Sequence, residues 1–207
     1  MSRRLKMSSL AWFAMTLGSV LIVIYAVVAY TLFPPGDLVH PQMKRVFERE
    51  TLGILAPIFG SSVALLLGPF QFLPGIRARA LQAHRWMGRV YLGFGVAIGG
   101  LAGGYMAFFA FGGLVSKSGF FFLALIWLIT GALALKAVPA GRIHRHREWM
   151  IRNFALTFAV VTLRIQLGLS GAAGLNFKET YPLIAWACWV PNLIVADWLV
   201  RRSQSQH

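Results

Sequence analysis

Six uninterrupted apolar stretches, each long enough to cross a bilayer as a helix, dominate this sequence. A span needs about 20 residues of helix, and the runs lie near Leu10–Phe33, Leu52–Leu73, Val90–Phe111, Gly119–Val138, Trp149–Leu169 and Tyr181–Val200. Lipid offers no partner to a bare backbone N–H or C=O, so such segments must close their own hydrogen bonds as helices. The expectation is an all-α integral membrane six-helix bundle, a single transmembrane domain over residues 1–207. The connections are short, which favours antiparallel packing of successive helices. The longest, Pro34–Thr51, is too short for a soluble domain. Arg3, Arg4 and Lys6 precede the first run as in a signal peptide, but the run outlasts a signal core and ends at no clean small-residue cleavage site.

Composition agrees with this class. Only 13% of the 207 residues are charged, against about 25% in soluble domains, and the mean hydropathy is +0.66. A net charge of +14 invites a nucleic-acid reading, but basic nucleic-acid binders do not carry this much apolar mass. Fourteen of the Lys and Arg residues fall in the N-terminus, the even-numbered loops with their flanking helix ends, and the C-terminus. Five lie on the other side, and Arg164 is inside a span. The Lys/Arg bias therefore predicts both termini in the cytoplasm of a bacterial inner membrane, with the basic end against anionic headgroups. The lone Cys188 excludes an internal disulfide and a cysteine-ligated metal centre.

Three features exceed hydrophobicity. Gly95, Gly99 and Gly103 recur every fourth residue, a spacing that admits a second backbone or, alternatively, a flat macrocycle. On a regular helix His84 lies within about 60° of Gly88, Gly95 and Gly99, and a histidine above a glycine lane can seat a haem. His146 heads the fifth span as His84 heads the third, so the pair suits bis-imidazole ligation of one b-type haem. His144 points about 160° away from His146. Taking His146 as zero, Asn153, Thr157 and Arg164 all fall within about 20° of it, a polar stripe along the fifth span. Arg164 at depth is costly; its candidate partners are carbonyls freed near Pro191, Glu179, or an anionic ligand group. Pro191 should kink the sixth span, and Asp197 should meet Arg152 or a loop arginine. His40 and His207 carry no assignment.

The strings Leu67–Phe72, Ala83–Tyr91, His146–Asn153, Ala155–Ala159 and Leu163-Arg164, with Trp127, resemble a bacterial family of multi-pass membrane proteins catalogued as domain of unknown function 2306. The resemblance covers roughly residues 50–170. It implies that His84, Arg85, Gly88, Tyr91, His146, Trp149, Arg152 and Arg164 are the family's marked positions, and it implies no activity. A looser similarity is to cytochrome b561-like membrane cytochromes, which share a His-Arg-x-x-Gly helix start. They typically hold two haems on four intramembrane histidines; the outer helix halves here have none, so at most one haem fits, with a quinone or a partner protein completing electron transfer across the membrane.

Three functions follow as expectations. The first is an accessory or scaffold subunit of a larger bioenergetic membrane complex, motivated by small extramembrane mass and abundant packing residues. The second is a single-haem cytochrome holding its cofactor with His84, His146, Arg85, Gly95, Gly99, Asn153 and Arg164. The third is a small-solute or lipid transporter using the Pro191 kink and the polar stripe. No Walker A, HExxH or GxSxG motif and no intramembrane carboxylate pair points to an ATPase or hydrolase.

Overall fold

The computed structural model describes residues 9–205, and within them every regular element is helical. Six helices are long and apolar enough to cross a membrane: Ser9–Thr31, Thr51–Gln71, Leu81–Ala107, Gly113–Ala137, Ile143–Ala172 and Phe177–Gln204. They are called the first to sixth spans below. Arg3, Arg4, Lys6 and His207 lie outside the described residues.

At the arginine-rich end two spans begin well before their apolar runs. The third starts at Leu81 rather than Val90 and the fifth at Ile143 rather than Trp149. The additional turns carry the Arg, His and Trp residues of the basic end, which snorkel from the interface without breaking the backbone ladder. There Arg89 lies over the Trp86 ring at 4.9 Å and Arg202 over Trp198 at 5.2 Å. Asp197 accepts from Arg152 at 2.6 Å and also pairs with Arg201, so the expected partner is the one found. His144 turns to Glu148 at 3.1 Å, away from the inward-facing His146.

The second span is central, packing against the first, third and fifth. Its contact with the third is backbone on backbone. A Cβ at Gly60 would sit 2.8 Å from the Gly99 Cα, and one at Gly95 would sit 2.8 Å from the Ala64 Cβ. Against the fifth span, a Cβ at Gly68 would meet the Phe154 ring at 2.0 Å. Small residues thus do in lipid what spacing predicts, letting dispersion act over closely apposed helices. Outward, Phe13, Leu17, Leu21 and Ile24 of the first span remain exposed, as lipid-facing positions should.

Three irregularities interrupt the spans. Tyr91–Ile98 is a π-helical stretch, whose wider turn shifts the phase of everything after it. The angular relation of His84 to Gly95 and Gly99 assumed a regular helix and does not survive this stretch. The fifth span breaks at Phe158, between Ile143–Thr157 and Ala159–Ala172. The sixth breaks at Cys188 and Trp189, and Pro191 enters the first turn of Val190–Gln204. Proline has no N–H to give the carbonyl four residues earlier, here that of Ala187. The Gln166 amide donates to that carbonyl at 3.1 Å instead, and Asn192 donates to the Cys188 carbonyl at 3.1 Å and to Thr162 at 2.9 Å.

The connection after the first span folds back over the charge-poor end. It contains a 3-10 turn, Pro41–Met43, and a short helix, Lys44–Arg49. Lys44 bonds Asp37 at 2.8 Å, the Phe47 ring stacks on Tyr30, and Glu50 accepts from the Tyr105 hydroxyl at 3.1 Å.

Candidate functional site: a cavity in the charge-poor half

Between the spans, on the side away from the arginine-rich end, lies a cavity of about 920 Å³. Specific ligand sites usually occupy about 300–1,000 Å³, so this one is at the large end. Its walls are chiefly apolar: Ile54, Pro57 and Ile58 from the second span, Phe120 and Leu123 from the fourth, and Leu163 and Leu167 from the fifth. Gly103 leaves open wall on the third span, since a Cβ there would come no nearer than 3.8 Å to Pro57. The roof is the folded connection, through Val46, Phe47 and His40. His40 lies flat on Phe177, ring centroids 3.9 Å apart and planes within 6°.

The floor is polar in composition and apolar in effect. Trp127 and Thr157 line it, and both belong to a buried network. The Tyr91 hydroxyl donates to Asn153 Oδ1 at 2.8 Å and lies 2.7 Å from Thr157 Oγ1. Trp127 Nε1 donates to Thr157 Oγ1 at 2.9 Å. Asn153 Nδ2 donates to the Trp127 carbonyl at 2.8 Å and to Thr130 Oγ1 at 2.9 Å. Thr157 Oγ1 also reaches the Asn153 carbonyl at 3.1 Å. Every polar atom here has partners within the protein, as a buried network in low dielectric requires.

Arg164 stands on the wall. Its Nη2 donates to the Tyr30 hydroxyl at 3.2 Å, and its guanidinium lies 4.9 Å from the centre of the Tyr25 ring. Both tyrosines come from the first span. The carbonyl freed by Pro191 is taken by Gln166, and Glu179 meets Asn176 at 3.4 Å; neither expected protein partner bonds Arg164. The break at Phe158 explains the separation. Asn153 and Thr157 turn to the third and fourth spans, while Arg164, beyond the break, turns to the first.

His84, near the start of the third span, and His146, near the start of the fifth, both lie at the arginine-rich end. His146 Nδ1 lies 2.8 Å from the Ala134 carbonyl. A proton on that nitrogen leaves the Nε2 lone pair available, the arrangement that orients metal-ligating imidazoles. His84 Nδ1 is buried with no hydrogen-bond partner, and the Gln71 amide donates to the His84 carbonyl at 3.5 Å. Arg85 is exposed at the same end. Gly95 and Gly99 do not join this site. Their open sides are filled by Ala64 and Ser61 of the second span, with the Trp127 ring also 3.3 Å from a Gly99 Cβ. Of the two readings of this lane, a second backbone or a flat macrocycle, the packing at Gly95 and Gly99 is the first, a helix-helix seam.

Sequence reasoning passed over Tyr25, Tyr30 and His40, which gain their meaning only from distant neighbours. Tyr91 stood among the residues marked by resemblance, yet had a second signal: a tyrosine deep in an apolar span needs a partner for its hydroxyl.

Six membrane-length helices around an intramembrane cavity define an all-α, multi-pass membrane protein. The chain belongs to the family described as Predicted membrane protein (DUF2306), matched over residues 54–200. That match runs from the second span through most of the sixth and leaves the first span, with Tyr25 and Tyr30, outside it. No curated protein and no solved structure matches the chain.

Proposed function

We propose that the protein holds a lipid-derived molecule with a long apolar tail in the cavity, as a lipid-binding or lipid-carrying protein of the bacterial inner membrane. The arginine-rich end faces the cytoplasm in this reading, and Arg77, Arg79, Arg89 and Arg145 meet anionic headgroups there. The observation that carries the proposal is the large apolar cavity over a self-satisfied floor. A buried water needs 2–4 polar partners, and the floor has few left to give. An acyl or isoprenoid chain, abundant next to the cavity, needs none.

Native mass spectrometry of the full chain, released from mild detergent, tests this. The wild type should carry an adduct of lipid mass that solvent extraction recovers. Gly103→Leu, which projects into the cavity without a backbone clash, should fold without a loss of stability and lose the adduct. A wild type free of lipid, or equal loading of both proteins, refutes the proposal.

A second reading is favoured by the free donor atoms at the other end. His84 and His146 would hold one b-type haem, whose chemistry would be one-electron exchange with quinone. Within this reading the chain contributes a carbonyl that fixes the His146 tautomer and nearby arginines for anionic groups; Gly95 and Gly99 contribute no room. A dithionite-reduced minus oxidised spectrum of gently purified protein should show a b-type band that His84→Ala and His146→Ala each abolish. A blank spectrum from folded, haem-sufficient protein removes the reading.

A further inference from the structure

We infer that Arg164 recognises an oxyanion head, a carboxylate or a phosphate monoester, on a single amphiphile whose tail descends to Trp127 and Thr157. The inference rests on the lipid reading of the cavity and names the chemical class of its ligand.

Among the described residues no anionic group pairs with Arg164. Its recorded partners are a phenol and an aromatic ring, neither of which neutralises it. All six Asp and Glu side chains of the sequence are engaged elsewhere. Asp37 and Glu48 pair with Lys44, and Glu50 with Arg49 and Tyr105. Glu179 accepts from Asn176, Glu148 pairs with His144, and Asp197 pairs with Arg152 and Arg201. A guanidinium carries five N–H donors in a fork that fits two oxygens of one anion, and the Tyr30 hydroxyl takes only one of them.

The side chain is held at the cavity rather than released to the interface. Tyr30 anchors one nitrogen, and the Tyr25 ring covers the guanidinium. Tyr181 also lines the wall. A bare charge at membrane depth is costly, and placing it where none of the described residues neutralises it leaves a complementary position for a ligand.

The orientation follows from the two ends of the cavity. Seven residues separate Arg164 from Thr157, about 10 Å along the helix axis. The polar atoms of the floor are mutually bonded and compete poorly for a headgroup. An amphiphile therefore places its head at Arg164 and its tail against Trp127.

Bromine quenching of tryptophan tests both parts, using the full chain in phosphatidylcholine nanodiscs. Dibromostearate should quench a fluorescence component that is absent in Trp127→Phe. Oleate and oleyl phosphate should displace it at roughly tenfold or more lower concentration than oleyl alcohol, as loss of a charge-assisted contact predicts. In Arg164→Gln that preference should vanish. Inorganic phosphate at millimolar concentration should displace nothing.

Equal displacement by oleate and oleyl alcohol in the wild type, or a preference surviving in folded Arg164→Gln, overturns recognition of the anion by Arg164 and leaves lipid binding standing. Displacement by inorganic phosphate marks a site for soluble anions and overturns the amphiphile. Quenching that none of the three oleyl compounds reverses, or no quenching at all, removes the lipid reading itself. Should Arg164→Gln fail to fold, the headgroup comparison in the wild type decides alone.

Discussion

Alanine substitution at Gly95, Gly99 and Gly103 sets helical spacing against the actual packing. By spacing the three are equivalent, one stripe on one span. In the structure an added Cβ meets Ala64 at 2.8 Å from position 95, Ser61 and Trp127 at 3.3 Å from position 99, and only Pro57 at 3.8 Å from position 103. The first contact involves the Ala64 Cβ, with its backbone nitrogen at 3.1 Å, so no side-chain rotation relieves it and the spans must separate. Overpacking of this kind costs about 1–3 kcal/mol, offset by up to about 1 kcal/mol of helix propensity. Gly95→Ala should therefore lose about 1–2 kcal/mol net. Gly99→Ala should lie near zero, because a few tenths of an ångström suffice. Gly103→Ala should gain about 0.5 kcal/mol, the glycine penalty without a clash. The spread of about 2 kcal/mol is roughly 30-fold in the unfolding equilibrium, well resolved by titrating sodium dodecyl sulphate into mixed micelles and following helical signal. Three variants within about 0.5 kcal/mol of each other, or Gly103→Ala as the least stable, would refute the seam.

Other perturbations probe the remaining devices. Gln166→Leu leaves the Ala187 carbonyl unpaired and should cost about 1 kcal/mol, near the range measured for interhelical hydrogen bonds in membranes. Adding Pro191→Ala, which restores an N–H for that carbonyl, should remove most of the cost; strict additivity in the same micelle titration would count against the assignment. Tyr91→Phe takes the hydroxyl donor from Asn153 Oδ1 and should cost about 1–2 kcal/mol. The same change in an Asn153→Ala background should cost clearly less, and equal costs in the two backgrounds would sink the bond.

The six spans were legible because lipid imposes the pattern: about 20 apolar residues and no unpaired backbone. Their ends were not, because the interface accepts Arg, His and Trp on a continuing helix, so Leu81–Val90 and Ile143–Glu148 carry little apolar signal. Pro191 announced a break, but its remedy, Gln166, lies on another span and follows from no local spacing. Arg164 stood out as a charge in an apolar run, whereas Tyr25 and Tyr30 looked like ordinary interfacial aromatics until the first span docked on the fifth. The wheel that aligned His146, Asn153, Thr157 and Arg164 assumed one continuous helix; the break at Phe158 sends its members to different neighbours. No pattern distinguishes a lipid-facing helix surface from one facing a partner subunit, since both are apolar and lipid removes the hydrophobic contrast between them. The scaffold expectation therefore rests on composition, while the cavity rests on shape.

The irregularities that defeat the wheel also explain why the cavity lies where it does. Toward the arginine-rich end, Gly60 on Gly99, Gly95 on Ala64 and Gly68 on Phe154 draw the second, third and fifth spans to contact. The network of Tyr91, Trp127, Asn153 and Thr157 lies beside that seam and closes the cavity on this side. Beyond it, the fifth and sixth spans break at Phe158 and at Cys188–Trp189, and their outer segments need not continue the tight packing. Gly103, the next member of the glycine stripe, then faces open space rather than another backbone. Rigid packing and ligand space thus meet at Gly99, with the satisfied network as the boundary. Substitutions on the seam should act through stability and those above the boundary through occupancy, so Gly95→Ala and Gly103→Leu should separate the two readouts although they lie on one stripe.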